Sequence, residues 1–145
     1  MDYRIRRKTS ELKGYGYVEI RPGKYPKYFR KHWQDGNVFI HEEAFTMATG
    51  IIVNHYSEYN PFGDNNIPKN IGMKITTEWR DNASQLYYMS DSQVRHALNL
   101  DDLERKWIDT VIASHKAEIM DMLRELADIC DEFYNQGNWV CIQGV

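Results

Sequence analysis

The chain has 145 residues and a mass of 17.2 kDa, the size of one ordinary domain. Hydrophobic residues make up 42% and charged residues 27%, which excludes wholesale disorder, and no apolar run approaches the roughly 18 residues of a membrane span. The net charge is −3, but residues 1–34 hold ten Lys or Arg against three Asp or Glu, whereas the remaining residues hold eight against eighteen. Such an asymmetry indicates an acidic partner for the first segment or a basic partner for the rest, unless the two parts complement each other within one fold.

The first third of the chain predicts β structure. Residues 15–20 alternate between apolar and polar side chains, as a half-buried strand does. Residues 27–33 and 37–40 flank an Asp-Gly pair at 35–36, and this pair tolerates the positive φ angles of a tight hairpin turn. We therefore predict a basic β-meander over residues 1–40.

The segment that begins at residue 41 leaves two interpretations open. Five apolar residues recur at helical spacing and predict one helix: Phe45, Ala48, Ile52, Tyr56 and Tyr59. Gly50 and the β-branched residues after it favour instead a short helix over 41–49 followed by a strand over 51–56. Both interpretations stand on the sequence alone.

A loop and a second hairpin are predicted to complete the mixed segment 41–89. Residues 61–68 are rich in Pro, Gly, Asp and Asn, which favour turns over regular structure. Residues 74–79 and 85–89 contain β-branched and aromatic side chains on either side of a polar turn. We expect these two runs to pair as antiparallel strands.

Residues 90–136 are predicted to be helical. Ser90 or Asp91 can cap a short helix that extends through Leu98, and the main helix is predicted to start near Asn99 and to end at Gly137. Its apolar face has helical spacing over seven turns and comprises Ile108, Val111, Ile112, His115, Ile119, Met122, Leu126, Ile129 and Phe133. Residues 138–143 then read as a final strand.

Together these elements predict a single α+β domain over residues 1–145. Its antiparallel sheet of about five to seven strands packs against the long C-terminal amphipathic helix. Cys130 and Cys141 form no CxxC pair, which is typical of buried thiols in a reducing compartment. The basic start of the chain lacks the apolar core of a signal peptide. We therefore expect a cytoplasmic protein.

One stretch resembles part of the HNH endonuclease motif. Residues 52–55, Ile-Val-Asn-His, are similar to the V-x-H turn of that family, and residues 65–71 are similar to its NN-x-P-x-N segment. Asn54 stands where the family usually has Asp or His. The resemblance implies a metal-dependent nuclease, or a degenerate relative of one. The catalytic residues that it implies are His55 and Asn66, and the metal-binding residues are Asn54 and Asn70.

A second alternative is contact with nucleic acid. Basic residues alternate with aromatic ones in the first third of the chain, so cations could hold phosphates while rings stack on bases. The candidate residues are Lys24, Lys27, Tyr28, Arg30, Lys31 and Trp33.

Our main hypothesis is a non-enzymatic protein-binding module of the toxin-immunity or phage-inhibitor type. The chain is rich in tyrosine, with ten residues, and tyrosine and tryptophan are enriched at binding hot spots. An acidic helix face would cover a basic surface of the target, such as that of a toxin or nuclease. No cofactor and no membrane contact are expected. The candidate partner-binding residues are Asp101, Asp102, Glu104, Asp109, Asp121, Glu125 and Asp128.

Overall fold

The computed structural model describes residues 1–26 and 34–144, and these residues form an α+β fold. Four strands make one antiparallel sheet in the order β2-β1-β4-β3. The strands are β1 Tyr17–Pro22, β2 Val38–His41, β3 Asp64–Pro68 and β4 Trp139–Gln143. The α+β class is confirmed, but in the part of the chain that the structure describes the sheet has four strands instead of the expected five to seven.

The described residues also form four α-helices. They are α1 Glu42–His55, α2 Lys69–Gln85, α3 Asp91–Ala97 and α4 Arg105–Gln136. Single 3-10 turns at Thr9–Glu11 and Leu86–Tyr88 complete the described elements. Within residues 1–26 and 34–144, no helix is long and apolar enough to cross a membrane.

The two interpretations of the segment after residue 41 are resolved in favour of one continuous helix, but it ends at His55, so Tyr56 and Tyr59 of the predicted stripe lie beyond it. Gly50 lies inside α1 and is buried, because the backbone of the chain after α3 passes directly against it. Ile51 and Ile52 are likewise fully buried on the helix. The separate strand over 51–56 is therefore wrong.

The predicted second hairpin is also wrong, because the region of residues 74–85 belongs to α2. Gly72, Ile75, Thr76, Trp79 and Ala83 are buried at helical spacing and give this helix a packing face. The gain from burying that face outweighs the weak helix propensity of its β-branched residues. Leu86–Tyr88 is a 3-10 turn.

The loop predicted over residues 61–68 is wrong for its second part, which forms strand β3. Asn65 is buried, and its side-chain amide donates to the backbone oxygens of Asn60, Gly63 and Ile142. Backbone pairing with β4 fixes this polar segment as a strand, although its composition favours turns.

The long C-terminal helix and the final strand are confirmed, with one change at the start of the helix. The α4 helix begins at Arg105, where the Glu104 carboxylate accepts a hydrogen bond from the backbone N–H of Trp107 at 2.6 Å. Asn99, just after the end of α3, has a φ of 54°, so the chain leaves the helical conformation there. The apolar face of α4 is buried as expected, except at His115, where φ −129° and ψ 23° kink the helix.

The hairpin expected around Asp35 and Gly36 is described only on one side. Gly36 has a φ of +92°, as the turn requires, and β2 follows it. The other predicted strand, residues 27–33, lies outside the described residues. An N-terminal arm, residues 1–8, contacts β2 at one point: Arg6 and Phe39 exchange two backbone hydrogen bonds of 2.9 and 2.8 Å.

Candidate binding surfaces

Five carboxylates line one exposed face of α4. They recur at intervals of three and four residues, so their side chains project from the same side of the helix. From first to last they span about 21 Å of helix axis at about 1.5 Å per residue. We name this row the acidic stripe, and its members are Glu118, Asp121, Glu125, Asp128 and Glu132.

The carboxylates of the acidic stripe repel one another. Partial burial raises the pKa of Glu125 above its ordinary value, the charges of Asp121 and Asp128 raise it further, and Arg7 opposes the shift. Asp121 and Asp128 have side chains that are 83% and 74% exposed, and both point into solvent. The stripe therefore concentrates negative charge on an accessible surface.

Three arginines offset part of this charge. Arg80 reaches Asp128 from α2 with an N–O distance of 2.8 Å. Arg124 approaches Asp121, and Arg7 approaches Glu132, each at 3.9 Å, where an exposed ion pair is weak. Among the described residues, Glu118 and Glu125 make no salt bridge, so the stripe keeps a net negative charge.

The structure divides the seven predicted partner-binding residues into two groups. Asp121, Glu125 and Asp128 lie together in the acidic stripe. The other four, Asp101, Asp102, Glu104 and Asp109, lie at the junction of α3 and α4.

Three residues of this junction group already have a structural task. Arg95 of α3 bonds both Asp101 and Asp109, and Glu104 caps α4. Asp102 is exposed in the connecting loop. The acidic stripe is therefore the stronger candidate surface for a partner.

The residues of the nuclease alternative take separate partners. His55 lies in the last turn of α1, so the turn that the resemblance implies there is wrong, and its Nε2 is 2.6 Å from Oε2 of Glu78 on α2. The side-chain oxygen of Asn66 accepts a hydrogen bond from the backbone N–H of Tyr25 at 2.9 Å. The side-chain oxygen of Asn54 accepts one from the side-chain amide of Asn99 at 3.0 Å. Asn70 is exposed near the start of α2.

No group of three or more His, Cys, Asp or Glu side chains within residues 1–26 and 34–144 is arranged to hold a metal ion.

The nucleic-acid alternative rests mainly on residues that the structure does not describe. Lys24 is the exception, and its Nζ lies 4.1 Å from the ring centroid of Trp139, in a cation–π contact. The other five candidates, Lys27, Tyr28, Arg30, Lys31 and Trp33, lie outside the described residues.

An apolar groove beside α1 was not predicted from the sequence. It has a volume of about 460 Å³, with the buried Val18 and Phe45 in its lining. Four residues of α1 contribute at helical spacing: Glu42, Thr46, Thr49 and Val53. The loop residues Tyr59, Pro61 and Phe62, together with Trp107 and Glu43, complete the lining. The groove joins segments that are far apart in the chain, so no local pattern indicates it.

Comparison with known proteins found no match to a family model, to a curated protein or to a solved structure. Function is therefore inferred from these two surfaces.

Proposed function

We propose that this protein is a non-enzymatic protein-binding module that masks a basic surface of a target protein with the acidic stripe. The observation that carries the proposal is the alignment of five carboxylates on one exposed face of α4. Aligned charges of one sign accelerate the encounter with an oppositely charged surface and select its register. The class that fits is the toxin-immunity or phage-inhibitor type, with a basic toxin or nuclease as the partner.

The raised pKa of Glu125 supports this proposal. Burial is the main cause of this shift, the like charges of Asp121 and Asp128 add to it, and Arg7 opposes it. A Lys or Arg of a partner beside Glu125 would favour the charged carboxylate and so offset part of this cost.

The cytoplasm is the compartment that we propose for this activity. Cys130 and Cys141 are both free and buried, and burial raises the pKa of each thiol to about 12. Thiols of this kind are unreactive and suit a reducing environment.

The test reverses the charge of the acidic stripe. Asp121, Glu125 and Asp128 are changed together to Lys, and proteins cross-linked to the tagged chain in its own cells are identified by mass spectrometry. We expect a basic protein to be captured by the parent chain. The purified pair should bind at least about tenfold more weakly when the three residues are reversed, because three complementary contacts become repulsive.

A matched control separates the stripe from net charge. Glu11, Glu58 and Asp81 are exposed, lie outside the stripe, and give the same change in net charge when changed to Lys. The control should bind the partner like the parent. Equal weakening in both triple variants would show non-specific attraction, and unchanged binding by the stripe variant would remove α4 as the interface.

A further inference from the structure

Three large apolar side chains around the groove are exposed although they lie close together. Phe62 is 82% exposed, Val53 42% and Trp107 38%. Single exposed apolar side chains are ordinary, but several around one concave surface are typical of a docking site. Water is poorly bound by such a surface, so an apolar occupant would gain free energy by displacing it.

Phe62 is held in this exposed position by the loop that carries it. The backbone N–H of Phe62 donates to Oδ1 of Asn60 at 2.9 Å, and the N–H of Gly63 donates to the Asn60 carbonyl at 3.2 Å. The buried Asn65 amide bonds the backbone of Asn60 through both its oxygen and its nitrogen. The loop is therefore ordered before any partner arrives, which lowers the entropic cost of binding.

One end of the groove is acidic. Glu42 and Glu43 are exposed in the first turn of α1, and neither makes a salt bridge with a described residue. The start of α1 is fixed, because the N–H of Glu42 donates to the carbonyl of Gly16 at 2.8 Å. Glu42 and Val53 are separated by about 16 Å along the helix axis at about 1.5 Å per residue. The groove thus offers apolar contacts along its length and negative charge at one end.

We infer that this groove is a docking site for a polypeptide segment that carries large apolar side chains with a Lys or Arg at one end. The apolar side chains lie against Val53, Phe62 and Trp107, and the cation pairs with Glu42 or Glu43. Large side chains that become buried near the centre of a protein interface commonly contribute most of its binding energy. This inference goes beyond the acidic stripe and stands on different residues.

A peptide library tests the inference directly. Phage carrying random peptides of about 12 residues, long enough to follow the groove, are selected on the whole protein. We expect the selected peptides to share Trp, Phe or Leu together with a Lys or Arg. A synthetic copy of one selected peptide is then titrated against variants by fluorescence anisotropy.

Variants of the groove should weaken this peptide, and variants elsewhere should not. Thr49→Arg blocks the groove, and Phe62→Ser removes an anchor, so each should raise the Kd at least about tenfold. Reversal of Glu42 and Glu43 to Lys should raise the Kd most at low salt. The control Tyr88→Ser changes an aromatic ring that is 82% exposed outside the groove, and it should bind like the parent.

Several results would overturn the inference. They are the absence of enriched peptides, equal binding by the Thr49→Arg variant, and binding that is insensitive to reversal of Glu42 and Glu43. Sedimentation in which Phe62→Ser converts a dimer to a monomer would assign the groove to a second copy of the chain. Loss of peptide binding in the stripe variant would place the peptide on α4. If the groove variants bind the peptide as tightly as the parent does, and the acidic stripe is still needed to bind the cellular partner, this inference fails and the proposed function stands.

Discussion

Gly50 lies where α1 passes against the backbone that follows α3. A Cβ atom at this position would be 2.2 Å from the carbonyl oxygen of Leu98 and 2.5 Å from that of Asn99. The Asn99 side chain strengthens the contact, since its amide donates to the Gly50 carbonyl at 3.1 Å and to Asn54 at 3.0 Å. The absence of a side chain at Gly50 thus allows two segments to lock together through their backbones.

Gly50→Ala should therefore destabilise the protein, although alanine normally favours a helix. The clash is with backbone atoms, which cannot rotate away, and overpacking of this kind lowers the free energy of unfolding by about 1–3 kcal/mol. Urea denaturation measures the change. Gly137→Ala is the control, because nothing lies within 4 Å of a Cβ there, and it should shift stability by less than about 0.5 kcal/mol.

Glu125 and Asp2 should show opposite dependence of stability on pH. The raised pKa of Glu125 means that the folded state holds the proton more tightly, so stability falls as pH rises from below the unfolded pKa through the folded one. Arg4, followed by Arg6, lowers the pKa of Asp2 against the effect of burial. The Asp2 contribution is therefore present above the unfolded pKa and is lost as pH falls through the folded one.

The corresponding amide variants separate the two effects. At pH 7, Glu125→Gln should raise the free energy of unfolding by less than about 1 kcal/mol, and Asp2→Asn should lower it. At a pH below about 3 the gain from Glu125→Gln should disappear, because the parent side chain is then protonated as well. Denaturation curves at both pH values measure this. A gain from Glu125→Gln that is the same at both values would contradict the raised pKa of Glu125 in the folded protein.

At the scale of elements, the sequence predicts well those helices whose apolar repeat continues over many turns or whose start is capped by a local side chain. The apolar face of α4 repeats over many turns, and Ser90 forms a capping box with Gln93, so α3 and most of α4 follow from local signals. Three of the five residues of the acidic stripe were candidates for the same reason: Asp121, Glu125 and Asp128.

Elements whose stability comes from distant partners were predicted wrongly. The buried positions of α2 have helical spacing, but the β-branched residues at 75–77 favour a strand when the sequence is considered alone. Packing against α4 stabilises the helix. β3 owes its conformation to β4, which is separated from it by more than seventy residues, and the local composition favours turns. The groove has the same origin, since Phe62, Trp107 and α1 meet only in the folded chain.

At the scale of the whole molecule, part of the charge asymmetry is satisfied internally. The N-terminal arm carries Arg7 towards Glu132, and Arg7 also lowers the pKa of Glu125. Tyr3 lies beside the kink of α4, with its hydroxyl 3.3 Å from Nδ1 of His115. The arm therefore connects the β2 end of the sheet to α4 and moderates the acidic stripe.

Removal of residues 1–8 should weaken the fold and open the sheet. The two backbone hydrogen bonds between Arg6 and Phe39 would be lost, and each contributes about 0.5–1.5 kcal/mol. The free energy of unfolding should therefore fall by at least about 1 kcal/mol, since the packing of Tyr3 and Ile5 against the core is lost as well. The outer edge of β2 at Phe39 would then present free backbone groups, which favour pairing between chains.

Sedimentation velocity over a range of concentrations should show self-association of the shortened chain. A full-length variant with Arg4→Gln and Arg7→Gln loses two of the arm's four basic side chains but keeps its backbone pairing, so it should associate no more than the parent does. If this variant self-associates like the shortened chain, charge is what keeps the molecules apart, and the arm does not act by covering the edge of the sheet.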